Sequence, residues 1–572
     1  MARDGTSGED ARALPLALAA AAVAYVVFQF VLYFSATTYY GIGLNYVLNF
    51  ESNPGTSYLA PFVFHSAFYP PFYYGFLYLL HQVAGFHFLP FVAVNALFPL
   101  GGAVYTFLAA RRLAGREAGA LAFCAFLLFP ARAAFTATLV IEAPLLLFVP
   151  AFLYHALASE QFLRARHALA AGAFFGLGML TKWSYFAYAA VPALFFVADL
   201  FLDFGTLKPR RVQGVQVRNL LLALGLLFVL AAPWYLGSFD LRLFRASAKN
   251  DPTFPVYSRA ANTRFNLGLL RDFGGRPTLI ALGVLALAAT ALELPVPRAL
   301  GWLVLLVGSP LAFFALPGHL EDRYLWPVFP GIALAAGIAW RAVRRRVTPV
   351  ARQALLLALV GAFAFSNWAK FVAERGDPEP LGLMNYSRGS PLWERADAGV
   401  VLRAVADALG TARAPDRPIH VAPHPFMTDA HLSSSHLRYR RLLDPALARF
   451  DVMGMTFYRY PEMMEKARAG QIDVLLADAD LWRRYAAPDF DPSQDVIRSV
   501  LSRPYVDQSS GKEYRKVGLE EFRDDMRFLA TDFRRVRELR LGKYTVWILV
   551  SRAYEDTFGR IADAPDERRD PS

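Results

Sequence analysis

The sequence predicts a polytopic α-helical membrane protein of about eleven spans, followed by a C-terminal soluble α/β domain. Three observations lead there. The 572-residue chain is 55% hydrophobic, 15% aromatic and only 19% charged, against about 25% charged for an ordinary soluble domain. Apolar runs succeed one another through the first 370 residues, without the polar linkers that divide a long soluble chain. The charge is also uneven. Residues 1–372 hold 28 Lys+Arg against 15 Asp+Glu, and the remainder holds 31 against 32. The net +12 therefore belongs to the membrane part, where the positive-inside rule accounts for it without nucleic acid. A soluble enzyme, a coiled coil and a disordered chain are excluded. The single cysteine, Cys124, lies in an apolar run and allows no intrachain disulfide. Only 8 of the 59 basic residues are Lys, an Arg bias that points, with the abundance of Ala, to a bacterial source and an inner membrane.

A spanning helix needs about 20 mostly apolar residues. The first run, 13–34, follows a polar tail with Arg3 and Arg12 and is longer than the hydrophobic region of a signal peptide, about 7–15 residues. Ten more fall near 89–110, 117–133, 138–157, 168–181, 184–202, 219–237, 277–293, 299–316, 325–343 and 350–370. A further apolar stretch, 72–84, is short, follows Pro70-Pro71 and contains His81 and Gln82. It reads as a surface or re-entrant helix. Charge supports this choice. Eleven spans with a cytoplasmic N-terminus put 17 basic residues on the inner side and only Arg132, Lys182, Arg323 and Lys370 on the short outer loops. Counting 72–84 as a span would move the Arg111–Arg116 and Arg341–Arg346 clusters outside.

This map divides the chain into 1–375, a membrane domain, and 376–572, an extracytoplasmic α/β domain. Segment 36–88 carries fourteen Tyr and Phe residues from Tyr39 to Tyr78. Aromatic rings favour the headgroup layer, so it reads as helices lying along the outer surface, and 238–276 as a second long outer loop. In the tail, 391–409 has helical periodicity, and 419–422 and 472–477 read as short buried strands. Leu519–Leu529 is amphipathic, and 536–541 with 544–550 forms a hairpin around Gly542-Lys543.

Charged groups at membrane depth are costly and mark function by default. The outer side offers few. Glu51 is the only acid of 36–88. The turn before the fourth span holds Arg132 and Glu142, and Lys182 ends Gly178-Met179-Leu180-Thr181-Lys182. The turn before the tenth span reads His319-Leu320-Glu321-Asp322-Arg323-Tyr324. An acid here can deprotonate or orient an acceptor, and Arg or Lys can hold a phosphate leaving group. His65 with Glu51 is a candidate divalent-cation pair. His420, His424 and His431 lack the spacing of a metal site and read as core or surface histidines. No phosphate-binding glycine loop, Gly-x-Ser-x-Gly elbow or zinc-protease motif is present.

These features resemble the GT-C superfamily of integral membrane glycosyltransferases, in particular glycosyltransferase family 39, the protein O-mannosyltransferase and lipid A aminoarabinose transferase branch. The resemblance covers roughly residues 13–343. It rests on a long first outer loop, Tyr69-Pro70-Pro71-Phe72-Tyr73-Tyr74, and the basic turn Ala110-Arg111-Arg112-Leu113-Ala114-Gly115-Arg116. The stretch from Arg132 to Glu142-Ala143-Pro144-Leu145, Gly176-Leu177-Gly178-Met179-Leu180-Thr181-Lys182, and Arg323-Tyr324 with Pro327 and Pro330 complete it. The C-terminal domain resembles that branch too. The resemblance implies an outer-face cavity for a polyprenyl-phosphate-linked sugar. It implies Glu142 as the acid of the second outer loop, and Lys182 and Arg323 as cations near the phosphate. The family's Asp after the first span is absent, since Ser35-Ala36-Thr37-Thr38-Tyr39-Tyr40 stands there, and Glu51 is the substitute. Tyr69 stands where many members carry Lys.

The expected function is transfer of a hexosyl or pentosyl group from a polyprenyl-phosphate carrier to a lipid, glycan or protein acceptor outside the membrane. Glu142 or Glu51 would be the base, Lys182, Arg323 and Arg132 the phosphate binders, and His319 and Tyr324 weaker donors nearby. The polyprenyl-phosphate-linked sugar is the expected donor, and a divalent metal is an open alternative. The competing readings are a lipid or sugar transporter or flippase, which predicts two similar halves, and a non-catalytic scaffold whose outer domain binds a partner.

Overall fold

The computed structural model describes residues 22–23, 70–84, 88–128, 141–203, 208–237, 307–315, 326–344, 346–374, 398–410, 417–424, 437, 441, 445–453, 459–487, 505–506, 513–541 and 544–561. These form two compact units, one of the helices up to residue 374 and one of the elements from residue 398 onward.

In the first unit the helices are α1 (Phe72–Ala84), α2 (Phe88–Ala114), α3 (Arg116–Leu127), α4 (Leu145–Ala158), α5 (Ala165–Thr181), α6 (Tyr185–Phe201), α7 (Gly214–Gly237), α8 (Ser309–Ala315), α9 (Phe329–Arg344) and α10 (Pro349–Glu374). A two-residue ribbon, β1 (Leu202–Asp203) with β2 (Lys208–Pro209), joins α6 to α7. Helix α1 has the bounds expected for the short helix after the paired prolines. Among the described residues, Ala93–Ala114 and Gly214–Leu236 are long and apolar enough to cross a membrane. Leu145–Ala158, Tyr185–Phe201 and Pro349–Phe365 are shorter apolar helices. At 1.5 Å per residue, the 14-residue α4 covers about 21 Å, short of a ~30 Å hydrocarbon core. The expected spans 13–34 and 277–293 lie almost wholly outside the described residues.

Close helix contact in lipid depends on small residues and on polar groups that satisfy one another. A Cβ at Gly102 would lie 2.0 Å from the Leu146 carbonyl oxygen, and one at Gly172 2.2 Å from that of Ala223. These glycines let α2 meet α4 and α5 meet α7, backbone to backbone. Gly115 (φ 98°) makes the left-handed break between α2 and α3. Around it Trp340, Phe126, Phe329 and Phe363 fill a buried core shared by α3, α9 and α10. The Trp340 indole donates to Glu117 at 3.2 Å, and Arg341 donates to the Leu113 carbonyl at 2.7 Å.

The second unit is an α/β sandwich. Its helices are α11 (Ala398–Leu409), α12 (Tyr460–Arg468), α13 (Ala479–Ala486), α14 (Leu519–Asp532) and α15 (Arg552–Phe558). Its strands are β3 (Ile419–Pro423), β4 (Phe450–Val452), β5 (Val474–Asp478), β8 (Phe533–Leu541) and β9 (Tyr544–Ser551), with a separate ribbon of β6 (Tyr505–Val506) and β7 (Glu513–Tyr514). The sheet order is β4-β3-β5-β9-β8. The pairs β3–β4 and β3–β5 are parallel, while β5–β9 and β8–β9 are antiparallel. Period-two alternation divides the strand residues between two layers. Val421, Val474, Leu476 and Ile548 pack with Val401, Leu402 and Val405 of α11. Ala422, Leu475, Ala477 and Leu549 pack with Met463 of α12 and Phe522 and Leu529 of α14. The strands expected at 419–422 and 472–477, the amphipathic helix from Leu519 and the final hairpin all appear. The short β4 and helices α12 and α13 were not foreseen.

His424, directly after β3, is fully buried, and its ring stands edge-on to Tyr460 at 5.7 Å. Burial pushes its imidazole down to about 3, against about 6.5 in an unfolded chain. Between those values the unfolded chain binds the extra proton. The stability due to this group is therefore complete above about pH 6.5 and lost as the pH falls toward about 3, at up to ~1.4 kcal/mol per pH unit. Amide exchange in β5 of the full chain should accelerate as pH falls from 6.5 to 4 after correction for intrinsic rates. His424→Phe should flatten that dependence. An unchanged slope in the variant would remove His424 as its source.

Candidate functional site

Two of the residues singled out from sequence meet in the first unit. Ile141–Pro144 forms a turn, and the Glu142 carbonyl accepts from the Leu145 amide at 3.1 Å as α4 begins. Lys182 leaves α5 in extended conformation (φ −155°, ψ 135°), with its amide still bonded to the Gly178 carbonyl at 3.1 Å. The Lys182 ammonium donates to Glu142 Oε1 in a short, charge-assisted contact. Both side chains are inaccessible, at 0% and 1% exposure. The turn before α4 and the end of α5, 40 residues apart in sequence, are thus tied by a buried ion pair.

Two tyrosines lie near Glu142. Tyr73 and Tyr188 are fully buried within electrostatic reach of Glu142. The Tyr73 hydroxyl donates to Asn95 Oδ1 at 2.8 Å. Tyr185 donates to the Phe148 carbonyl at 3.2 Å, and Tyr235 to that of Met179 at 3.1 Å. The glycine-rich approach to Lys182 gains its reason here. A Cβ at Gly178 would lie 2.4 Å from the Tyr185 ring, so only glycine lets that ring seat beside the lysine. Asn95, Tyr185 and Tyr188 were not singled out beforehand. Asn95, a polar residue inside an apolar run, carried a signal by the cost of polar groups at membrane depth; the other two did not.

The remaining candidates, Glu51, Arg132, His319, Arg323 and Tyr324, lie outside the described residues, as does His65. Among the described residues no group of three or more His, Cys, Asp or Glu is arranged to hold a metal ion. In the second unit His420 lies in β3 and His424 directly after it, while His431 falls outside the described residues.

A buried ion pair gains little net stability, but removing one partner strands the other charge and costs about 3–5 kcal/mol. Chemically, the pair places one proton acceptor and one cation side by side, out of contact with solvent, where electrostatic interactions are strengthened.

Residues 69–235 match the family described as dolichyl-phosphate-mannose-protein mannosyltransferase. No curated protein sequence matches the chain. Two solved structures are similar over nearly their full length. ArnT from Cupriavidus metallidurans in the apo state gives a TM-score of 0.53 at 16% identity, over 95% of this chain and 98% of that one. ArnT from the same organism bound to undecaprenyl phosphate gives 0.55 at 15% identity, over 94% and 98%. The likeness is one of fold.

The ion pair makes a stability prediction. Glu142→Gln and Lys182→Met should each destabilise the folded protein by about 3–5 kcal/mol, while the double variant, which strands neither charge, should lose clearly less than the sum. Reversible unfolding in lipid measures the cycle, and strict additivity would mean the two groups do not interact.

Proposed function

We propose that this chain is an integral membrane glycosyltransferase of the GT-C superfamily, and that it moves a sugar from a polyprenyl-phosphate carrier to an acceptor on the outer face of the membrane. The observation that carries the reading is the buried Glu142–Lys182 pair, which lies within the matched segment 69–235. The carrier class is suggested by the undecaprenyl phosphate bound to the ArnT of similar fold.

In this reading the carrier phosphate competes with Glu142 for Lys182. The sugar-linked carrier is a phosphodiester with one negative charge; its second charge develops as the bond to the anomeric carbon breaks, and the leaving phosphate then draws the ammonium more strongly than one carboxylate does. The cation then neutralises charge that builds on the leaving phosphate. Glu142, no longer sharing the ammonium, orients an acceptor hydroxyl or amine and takes its proton. The acceptor oxygen or nitrogen bonds to the anomeric carbon, and the bond from that carbon to the phosphate oxygen breaks. Polyprenyl phosphate departs with the bonding pair. Arg132 and Arg323 are further phosphate ligands in this scheme, His319 and Tyr324 donors at its edge, and Glu51 the second acid. The sugar is a hexosyl or pentosyl unit.

The same reading keeps the topology drawn from charge. About eleven spans cross a bacterial inner membrane, the N-terminus is cytoplasmic, and residues 376–572 are periplasmic.

Purified protein in liposomes, supplied with carrier-linked sugars and an acceptor, tests the proposal. Transfer should be detected with at least one donor. Glu142→Gln should lower turnover per folded molecule at least tenfold, a general base typically contributing about 10²–10⁴-fold. Lys182→Met should raise the KM for the carrier. Transfer at the parent rate and KM in both variants would overturn the assignment.

A further inference from the structure

The C-terminal unit contains an open cleft of about 400 Å³ that the transfer scheme does not use. This is the small end of the range for ligand sites. It is lined by Arg417, His420, Asp451, Lys466, Gly470 and Gln471. The residues come from the start of β3, from the middle of its parallel neighbour β4, and from the last turn of α12 with the turn beyond it.

The polar groups are held in place. Asp473, 2% exposed, accepts from both terminal nitrogens of Arg417 at 2.7 and 2.8 Å and from the His420 amide at 2.8 Å. Arg417 also donates to the Pro418 carbonyl at 3.0 Å. His420 Nδ1 lies 3.1 Å from Asp451 Oδ2, which fixes the ring. Gly470, at φ +67°, makes the left-handed turn that brings Gln471 to the rim. The side chains of Arg417, His420, Asp451 and Lys466 are all between 34% and 47% exposed, so the cleft is accessible.

Charge selects the ligand class. Each Arg and Lys lining the cleft already has a carboxylate partner, Arg417 with Asp473 and Lys466 with Glu462 at 3.4 Å, and the lining Asp451 has Arg441 at 3.4 Å. Little uncompensated charge remains to select an ion. What remains is a set of donors (Arg417, Lys466, the Gln471 amide) and acceptors (Asp451, the Gln471 carbonyl) gathered in one cleft, with Met453 supplying an apolar patch. Donors and acceptors gathered in one cleft match the hydroxyls of a sugar, each of which both donates and accepts, and an apolar patch matches the C–H face of a pyranose ring. We infer that this cleft, built from residues of the second unit alone, is a second saccharide site, which holds a neutral pyranose unit. The inference draws on the transfer reading only for its supply of saccharides.

The test is a binding measurement on the full chain, in lipid nanodiscs free of glycoside detergent and without carrier or donor. Its failure is therefore distinct from a failure of transfer. The probes are methyl mannoside, methyl glucoside, N-acetylglucosamine and inorganic phosphate. At least one of the three sugars should bind with Kd of about 1 mM or tighter, and phosphate more weakly. Gln471→Ala and Asp451→Asn should each weaken that sugar at least tenfold, with amide exchange in β3 and β5 unchanged to show that the sheet is intact. Absence of sugar binding to the parent, phosphate binding tighter than any sugar, or sugar affinity unchanged in both variants would each overturn the inference.

Discussion

The site depends on a charge that has nowhere else to go. Lys182 and Glu142 are both sealed from solvent, and neither is tolerable there without a counter-charge. Their attraction dictates where α5 must end and where the turn before α4 must lie. It accounts for the extended backbone at Lys182, for the glycine at 178 that admits the Tyr185 ring, and for the buried tyrosines near Glu142. A pair sealed in this way gives a single phosphate group leverage, because an entering anion must be matched by the same cation.

The α4–α5 hairpin is secured at its other end as well. His155 of α4 and His167 of α5 approach at Nδ1 to 2.9 Å, one neutral imidazole donating to the other. The turn between them holds Glu160, Gln161 and Phe162 in succession at positive φ (51°, 58° and 65°), a conformation that costs non-glycine residues free energy. Neighbouring helices offset that cost. Glu160 accepts from Arg112 of α2 at 2.6 Å, Gln161 donates to Asp199 of α6 at 3.0 Å, and Gln216 and Asn219 of α7 donate to the carbonyls of Gln161 and Phe162 at 2.9 and 2.7 Å. A hairpin fixed by polar contacts at both ends is a rigid mount for a reactive pair, and rigidity is what holds catalytic groups in register.

Much of this was legible in the sequence, and the part that was not has a physical reason. Glu142 and Lys182 stood out singly, because ionisable residues flanking apolar runs are costly. Their pairing did not, since a contact across 40 residues leaves no local pattern. The clasp of His155 and His167 was missed because each looked like an ordinary residue at the end of a run. Strands β3 and β5 were visible as apolar runs, whereas the three-residue β4, Phe450-Asp451-Val452, is too short to carry a period. Helix α1 was placed by its prolines. Helix lengths were harder to read, because a hydropathy run such as 138–157 includes turn residues that the backbone does not wind into α4, which starts only at Leu145.

The central claim is that the carrier phosphate takes Lys182 from Glu142. A cryo-electron microscopy structure of the chain in nanodiscs with undecaprenyl phosphate measures this directly. The account predicts Lys182 Nζ within hydrogen-bond distance of a phosphate oxygen, about 2.7–2.9 Å, with its contact to Glu142 lengthened beyond ion-pair range. Carrier density at the site beside an intact, still-buried Glu142–Lys182 pair, with Lys182 out of reach of the phosphate, would contradict it.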